Sequence, residues 1–195
     1  MKNKLLLLLL ICTGIGFTCC NSNKTNISDN CIVNVKIGIP QYTTAYLLND
    51  NDQTLDTLDI TNMTISFERN DTASMPYIAV IRLSNPTDSI DILSMPVIIE
   101  PGEININISE YVTVQGTNLN LRLQEFLNGL QATHDSIKLM KDIQVEKIKT
   151  KFSEFYRQQI LMNKDNVLGK YIYKSYGIHL TETDNSLVNA QLTTD

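Results

Sequence analysis

An α+β fold is predicted, an antiparallel β-sandwich-like region followed by a helical arm, and two observations predict it. Between residues 31 and 116 apolar side chains alternate with a period of two, the pattern of half-buried strands. Beyond Gly116-Thr117-Asn118 they recur at steps of three, four and seven, the pattern of amphipathic helices. No helical period interrupts the first region, so its strands are expected to pair antiparallel in a sandwich or strongly curled sheet.

Residues 1–20 read as a secretory signal. Lys2 and Lys4 precede the unbroken apolar run from Leu5 to Ile11, and small residues lead to Cys19-Cys20. The apolar run is far shorter than the ~20 residues needed to span a bilayer, and residues 21–30 are polar and aperiodic, as a tether would be. The end of the segment resembles a lipobox, the signal peptidase II site of bacterial lipoproteins, in which a Cys becomes the diacylglycerol-modified first residue. Phe17-Thr18-Cys19 before Cys20 fits that pattern, and Cys19 is the alternative. A soluble secreted chain with an ordinary signal is the competing reading. Cleavage leaves Cys31 as the thiol of the folded region, with no partner for an intramolecular disulfide. Heading the alternation Cys31-Val33-Val35-Ile37, it reads as a small buried hydrophobe.

The β-rich region, 31–116, divides into seven to nine strands at Gly38-Ile39-Pro40, Asn49-Asp50-Asn51-Asp52, Asn70-Asp71, Asn85-Pro86-Thr87-Asp88 and Pro101-Gly102-Glu103. The strands are placed near 31–38, 43–49, 53–60, 63–69, 76–84, 88–93, 96–100, 103–109 and 111–115. Met95-Pro96 marks a bulge or a strand start, because proline cannot donate within a ladder.

The helical arm, 117–195, opens with Thr117 or Asn118 as cap. Its stripe runs through Leu119, Leu123, Phe126, Leu127, Leu130, Ile137, Met140, Ile148, Phe152 and Phe155. No Gly or Pro breaks the stretch from Leu130 to Leu168, which allows one helix of about 40 residues, some 60 Å long, or equally a hairpin bending near Asp142. Asn163-Lys164-Asp165-Asn166 then reads as a turn and cap before a short helix from Val167 to Tyr176, closed by Gly177, and a last amphipathic segment from Glu182 to Leu192.

Composition excludes several functions. The 16 Lys+Arg are outnumbered by 21 Asp+Glu, and no continuous basic block occurs, so nucleic acid is not an expected partner. The acidic residues scatter through turns as solvated charges and do not form a calcium loop. Only His134 and His179 could serve as a general base or zinc ligand, and they lie in different elements without a carboxylate at ligand spacing. No GxxxxGK[ST], GxGxxG or CxxC is present, so phosphate cradling and a two-thiol redox cycle are not expected. No catalytic, metal or cofactor site is therefore expected. Four triplets, Asp56-Thr57-Leu58, Asp71-Thr72-Ala73, Asp88-Ser89-Ile90 and Asp135-Ser136-Ile137, resemble the Asp-Ser/Thr-apolar sequon of O-glycosylated envelope proteins in Bacteroides-type bacteria, making Thr57, Thr72, Ser89 and Ser136 candidate glycan sites.

A further resemblance covers the mature chain. It is carried by Ala45-Tyr46-Leu47-Leu48, Leu55-Asp56-Thr57, Phe67, Pro76-Tyr77, Ile98-Ile99-Glu100-Pro101-Gly102, Ile104-Asn105-Ile106, and Val114-Gln115-Gly116-Thr117 with Asn120, Leu123 and Phe126. Asn163-Lys164-Asp165-Asn166 with Gly169 and Tyr171 looks like the family's stretch closing its helical arm. Together these resemble the domain of unknown function that precedes the thioredoxin-like module of lipid-anchored thiol-disulfide oxidoreductases in Bacteroides-type bacteria. Those relatives continue into a CxxC-bearing thioredoxin fold; this sequence carries no CxxC up to Asp195, so the resemblance implies architecture and location without redox chemistry.

The expected function is that of a non-enzymatic cell-envelope lipoprotein domain. It would sit in the membrane through its N-terminal lipid, at the outer membrane or periplasmic face, and bind or scaffold an envelope protein. Exposed edge strands could accept a partner strand, and the helical stripe a partner helix. An accessory, catalytically incomplete half of a thiol-disulfide system and a carrier of a small apolar ligand are the alternatives.

Overall fold

The computed structural model describes residues 30–70, 75–141 and 144–192. The signal, Cys19, Cys20, nearly all of the tether and Thr72 lie outside the described residues. Eight strands precede four helices: β1 (Cys31–Ile37), β2 (Thr44–Leu48), β3 (Thr54–Asp59), β4 (Thr64–Arg69), β5 (Tyr77–Asn85), β6 (Asp88–Ile99), β7 (Gly102–Ile108), β8 (Val112–Gln115), α1 (Asn118–Lys138), α2 (Val145–Met162), α3 (Val167–Tyr176) and α4 (Glu182–Leu192). The α+β class and the order of elements are as the two periods predict.

The strands form two four-stranded sheets, ordered β4-β1-β7-β8 and β3-β2-β5-β6. Val33, Val35, Phe67, Ile104, Ile106 and Val114 from the first sheet meet Ala45, Leu47, Ala79, Ile81, Leu83 and Val97 from the second in one buried core. Cys31 is 0% exposed within it, as its alternation predicts. The helices cover the other face of the second sheet. Ile98 and Ile78 turn away from the sandwich into a second core with Leu123, Phe126, Tyr156, Ile160, Leu168, Ile172 and Val188. The layers are therefore sheet, sheet, helices.

Two expectations are corrected. β1 pairs with β7 in parallel, since the chain passes through the second sheet between them and that long crossover returns β7 in the same direction. The two strands expected at 88–93 and 96–100 are one, β6, running unbroken through Pro96. Proline is tolerated there because β6 is the last strand of its sheet, where one side of the ladder has no strand partner. Gly177 follows α3 as its C-cap, as expected, and at φ −58° leads into a short 3-10 turn, Gly177–His179.

Of the two arrangements open for 118–162, the structure has the hairpin, with α1 ending at Lys138 and α2 starting at Val145. No local breaker imposes this, so burial of the aromatic stripe is the physical cause. Phe126 and Phe155 stack at 5.7 Å, and Phe152 lies edge-on to His134 at 4.8 Å. Gly129 gives the ring room: a Cβ there would come within 2.7 Å of Phe155. A single rod would leave these faces in water.

The entry into α1 is also unlike its local expectation. Thr117 is the N-cap residue by position, yet its side chain makes no cap bond. The Leu119 N–H instead donates to Glu100 Oε1 at 2.8 Å, a carboxylate from the end of β6 placed against the positive helix terminus. Gly116 makes this approach possible: its φ is +119°, and a Cβ would lie 2.1 Å from the Glu103 carbonyl oxygen. By contrast Asn166 caps α3 as expected, accepting from Leu168 N–H at 2.9 Å and Gly169 N–H at 3.4 Å.

Candidate binding face

Alternation along the first sheet turns its apolar residues into the core and leaves an outer face of amides and hydroxyls. Thr64 and Ser66 of β4, Asn34 and Lys36 of β1, Asn105 and Asn107 of β7, and Thr113 and Gln115 of β8 line an open groove of about 720 Å³, with Thr61 and Asn62 at its rim. Ser66 Oγ donates to Asn34 Oδ1 at 2.9 Å, and Asn34 Nδ2 donates to Glu103 Oε1 at 2.9 Å and Asn105 Oδ1 at 3.3 Å. This ladder crosses three strands and fixes the side chains without using all their donors and acceptors. Lys36 is the cation among the groove's lining residues.

The sandwich has two unlike sides. On the helix side, α1 stoppers both edge strands with side-chain amides. Asn120, 0% exposed, accepts from the Ile98 N–H at 3.0 Å and donates to the Ile98 carbonyl at 2.7 Å. Gln124, one turn on, accepts the Val114 N–H of β8 through its side-chain oxygen. On the opposite side β3 and β4 end their sheets. The two are joined by a tight turn, with Asn62 at φ 52°, Met63 at φ 58° and Thr64 N–H bonded to Thr61 O at 3.0 Å.

The polarity of β4 follows from its register. Ile37 N–H donates to Met63 O at 2.8 Å, which makes 37/63 a hydrogen-bonded pair, followed at every second position by 35/65 and 33/67. Ser66 and Glu68 stand at the intervening pairs, opposite Asn34 and Ile32, and so direct their own N–H and C=O groups to the outer edge. Asp56 and Asp59 guard the β3 edge with negative charge, whereas the first half of β4 carries Thr64 and Ser66. A strand edge whose first half is uncharged and whose second half carries Glu68 thus borders an amide-lined groove.

The residues singled out from the sequence are not brought together. Thr57 is exposed on β3 and Ser89 is exposed at the start of β6; Ser136 is half-buried, its hydroxyl donating to Thr133 O at 2.8 Å. His134 rests on Phe152, and exposed His179 lies 6.1 Å from Tyr156 between ring centres, so the histidines occupy separate positions in the helical layer. Among the described residues no group of three His, Cys, Asp or Glu side chains could hold a metal ion. The helical stripe expected to seat a partner helix is largely consumed by the second core.

Sequence reasoning missed the two stoppers and one buried polar knot. Asn120 and Gln124 are four apart on a helix that begins beside a strand, a spacing that puts both amides on one face and could have signalled them. The knot joins α2 to α4: Ser153 donates to Asp184, Arg157 Nε pairs with Asp184 Oδ1 at 2.7 Å, and the Thr181 N–H donates to Ser153 Oγ at 2.8 Å. Thr181 Oγ1 also accepts from Asp184 N–H at 3.3 Å, so the knot is a helix cap that pins α4.

The extent of the sandwich and its α1 clamp coincides with a recognised sequence family. Residues 31–123 match DUF4369, a domain of unknown function. The matched segment covers all eight strands and the first turns of α1, ending just past Asn120 at buried Leu123. It therefore includes the amide clamp on β6 and the whole β4 groove. α2, α3 and α4 lie beyond the matched residues. No curated protein compared with the chain matches it.

Proposed function

We propose that the protein is a non-enzymatic cell-envelope lipoprotein whose DUF4369 segment binds an extended segment of an envelope protein along β4, with the groove reading the polar side chains of that segment. One observation carries the reading: α1 amides stopper β6 and β8, whereas Ser66 and Glu68 on β4 direct backbone groups outward beside the groove. Strand addition needs such an edge, because main-chain hydrogen bonds supply affinity and neighbouring side-chain sites supply selectivity. Amides and hydroxyls suit a polar partner of low charge.

Cys20, with Cys19 as alternative, would carry the lipid that holds this edge at the membrane. Neither the thiol-disulfide alternative nor the apolar carrier gains a specific observation. Cys31 is fully buried, and the groove is lined mainly by polar side chains.

The test combines two variants of the full chain in its native envelope. Cys19→Ser with Cys20→Ser should abolish lipid labelling and move the chain out of the membrane fraction. Ser66→Pro removes an outward N–H at an edge position where proline is tolerated, and should dissociate the detergent-extracted complex while leaving the fold intact. A complex that survives Ser66→Pro would sink the strand-addition reading; a lipid label that survives the cysteine substitutions would sink the anchor.

A further inference from the structure

The α1–α2 hairpin extends past its last fully buried residues. Phe126 is the last fully buried residue of α1 and Ser153 the first of α2. The twelve residues from Leu127 to Lys138 thus carry the tip about 18 Å past Phe126, at 1.5 Å per residue. At the tip Leu139 is 85% exposed, Val145 65% and Met140 39%. Lys138, Lys141, Lys147 and Lys149 are exposed around them. Lys138 and Lys149 reach Asp135 at 3.4 Å and Glu146 at 2.9 Å on their own helices, and those contacts are themselves solvent-exposed.

The charge of this segment runs against that of the chain. Residues 138–151 contain Lys138, Lys141, Lys147, Lys149 and Lys151 against Asp142 and Glu146, in a protein of formal net charge −5. Exposed aliphatic side chains thus stand among long cationic ones at this end of the hairpin. A folded acidic partner would offer the lysines counter-charges but would not need Leu139 and Val145 bare at the apex. An anionic lipid surface satisfies both: the aliphatic chains enter the headgroup boundary while the lysines stay at the phosphates, their stems covering apolar surface.

We propose that the hairpin tip is a second membrane contact, specific for anionic phospholipid and separate from the N-terminal lipid. A lipid at the N-terminus localises a domain without orienting it, and a second contact through α1 and α2 would hold the sandwich at a fixed angle to the bilayer. The contact does not depend on strand addition at β4.

The chain has no tryptophan, so Leu139→Trp introduces a single indole at the apex. The full chain carrying Leu139→Trp would be reconstituted into vesicles of phosphatidylcholine, with or without phosphatidylglycerol, using brominated acyl chains as quenchers. Flotation reads whether the protein is anchored; indole emission reads where the tip lies. The expected result is blue-shifted, bromine-quenched emission in phosphatidylglycerol vesicles at physiological ionic strength, and water-like emission in phosphatidylcholine alone. Adding Lys147→Glu and Lys149→Glu should abolish the shift while the circular dichroism melting curve is retained. Water-like emission in both vesicles, with the protein still floating, would overturn the proposal. So would a shift that persists after charge reversal, or one that needs an envelope protein fraction in place of phosphatidylglycerol.

Discussion

The side chain of Asn120 forms two hydrogen bonds with the backbone of Ile98, accepting its N–H at 3.0 Å and donating to its carbonyl at 2.7 Å, so that α1 completes the ladder of β6 with a single amide. Asn120 also donates to Thr117 Oγ1 at 2.8 Å, which ties the clamp to the helix entry. Both partners are 0% exposed, so water cannot replace either bond.

Asn120→Ala is accordingly expected to leave a buried N–H and a buried C=O without partners. At about 1–3 kcal/mol for each unsatisfied group, the loss should be on the order of 2–6 kcal/mol. Urea denaturation of the full chain checks it. Asn120→Asp retains the acceptor and removes the donor, and should also destabilise, because it places a carboxylate against the Ile98 carbonyl.

Met63 is expected to be improvable. Asn62 and Met63 both have positive φ, the arrangement of a primed turn in which glycine is favoured at the second position. A left-handed L-residue costs about 1–2 kcal/mol, and glycine's added chain entropy returns roughly 0.5–1 kcal/mol of that. Met63→Gly should therefore stabilise by about 0.5–1 kcal/mol, read as a rise in the urea midpoint with an unchanged slope.

Alkaline pH should loosen the helical layer. Burial pushes the Tyr171 phenol up to about 12 from 10.0, and Tyr156 and Tyr176 shift upward for the same reason. Between pH 10 and 12 the folded chain keeps a proton that the unfolded chain releases, so stability is full below pH 10 and falls as pH rises toward 12. Tyr171 alone sets a slope of at most about 1.4 kcal/mol per pH unit. Tyr171→Phe should flatten the fall in chemical-denaturation midpoints measured across that range, at the expense of a lower stability near neutrality.

The periodicities made the strands and helices legible because each element buries one face, and that face repeats at the element's own period. The last two helices fall at the predicted residues for the same reason, helped by the Asn166 cap. What stayed hidden depends on contacts between distant segments. The parallel β1–β7 pair is a matter of sheet order, which alternation in β1 does not encode. The bend between α1 and α2 follows from Phe126 meeting Phe155 and has no local breaker to announce it. The groove was hidden because Asn34, Ser66 and Asn105 look like ordinary outward positions until β1 lies between β4 and β7. Glu100 read as the last residue of a strand, yet its carboxylate caps α1.

The central claim, that β4 is the edge which accepts a partner strand, is tested most directly by amide hydrogen exchange on the full chain, purified and in its native envelope membranes. Ser66 and Glu68 should exchange rapidly in the purified protein and slowly in the envelope, while Ile98, already held by Asn120, stays slow in both. Equal, rapid exchange at Ser66 and Glu68 in both settings would contradict the account.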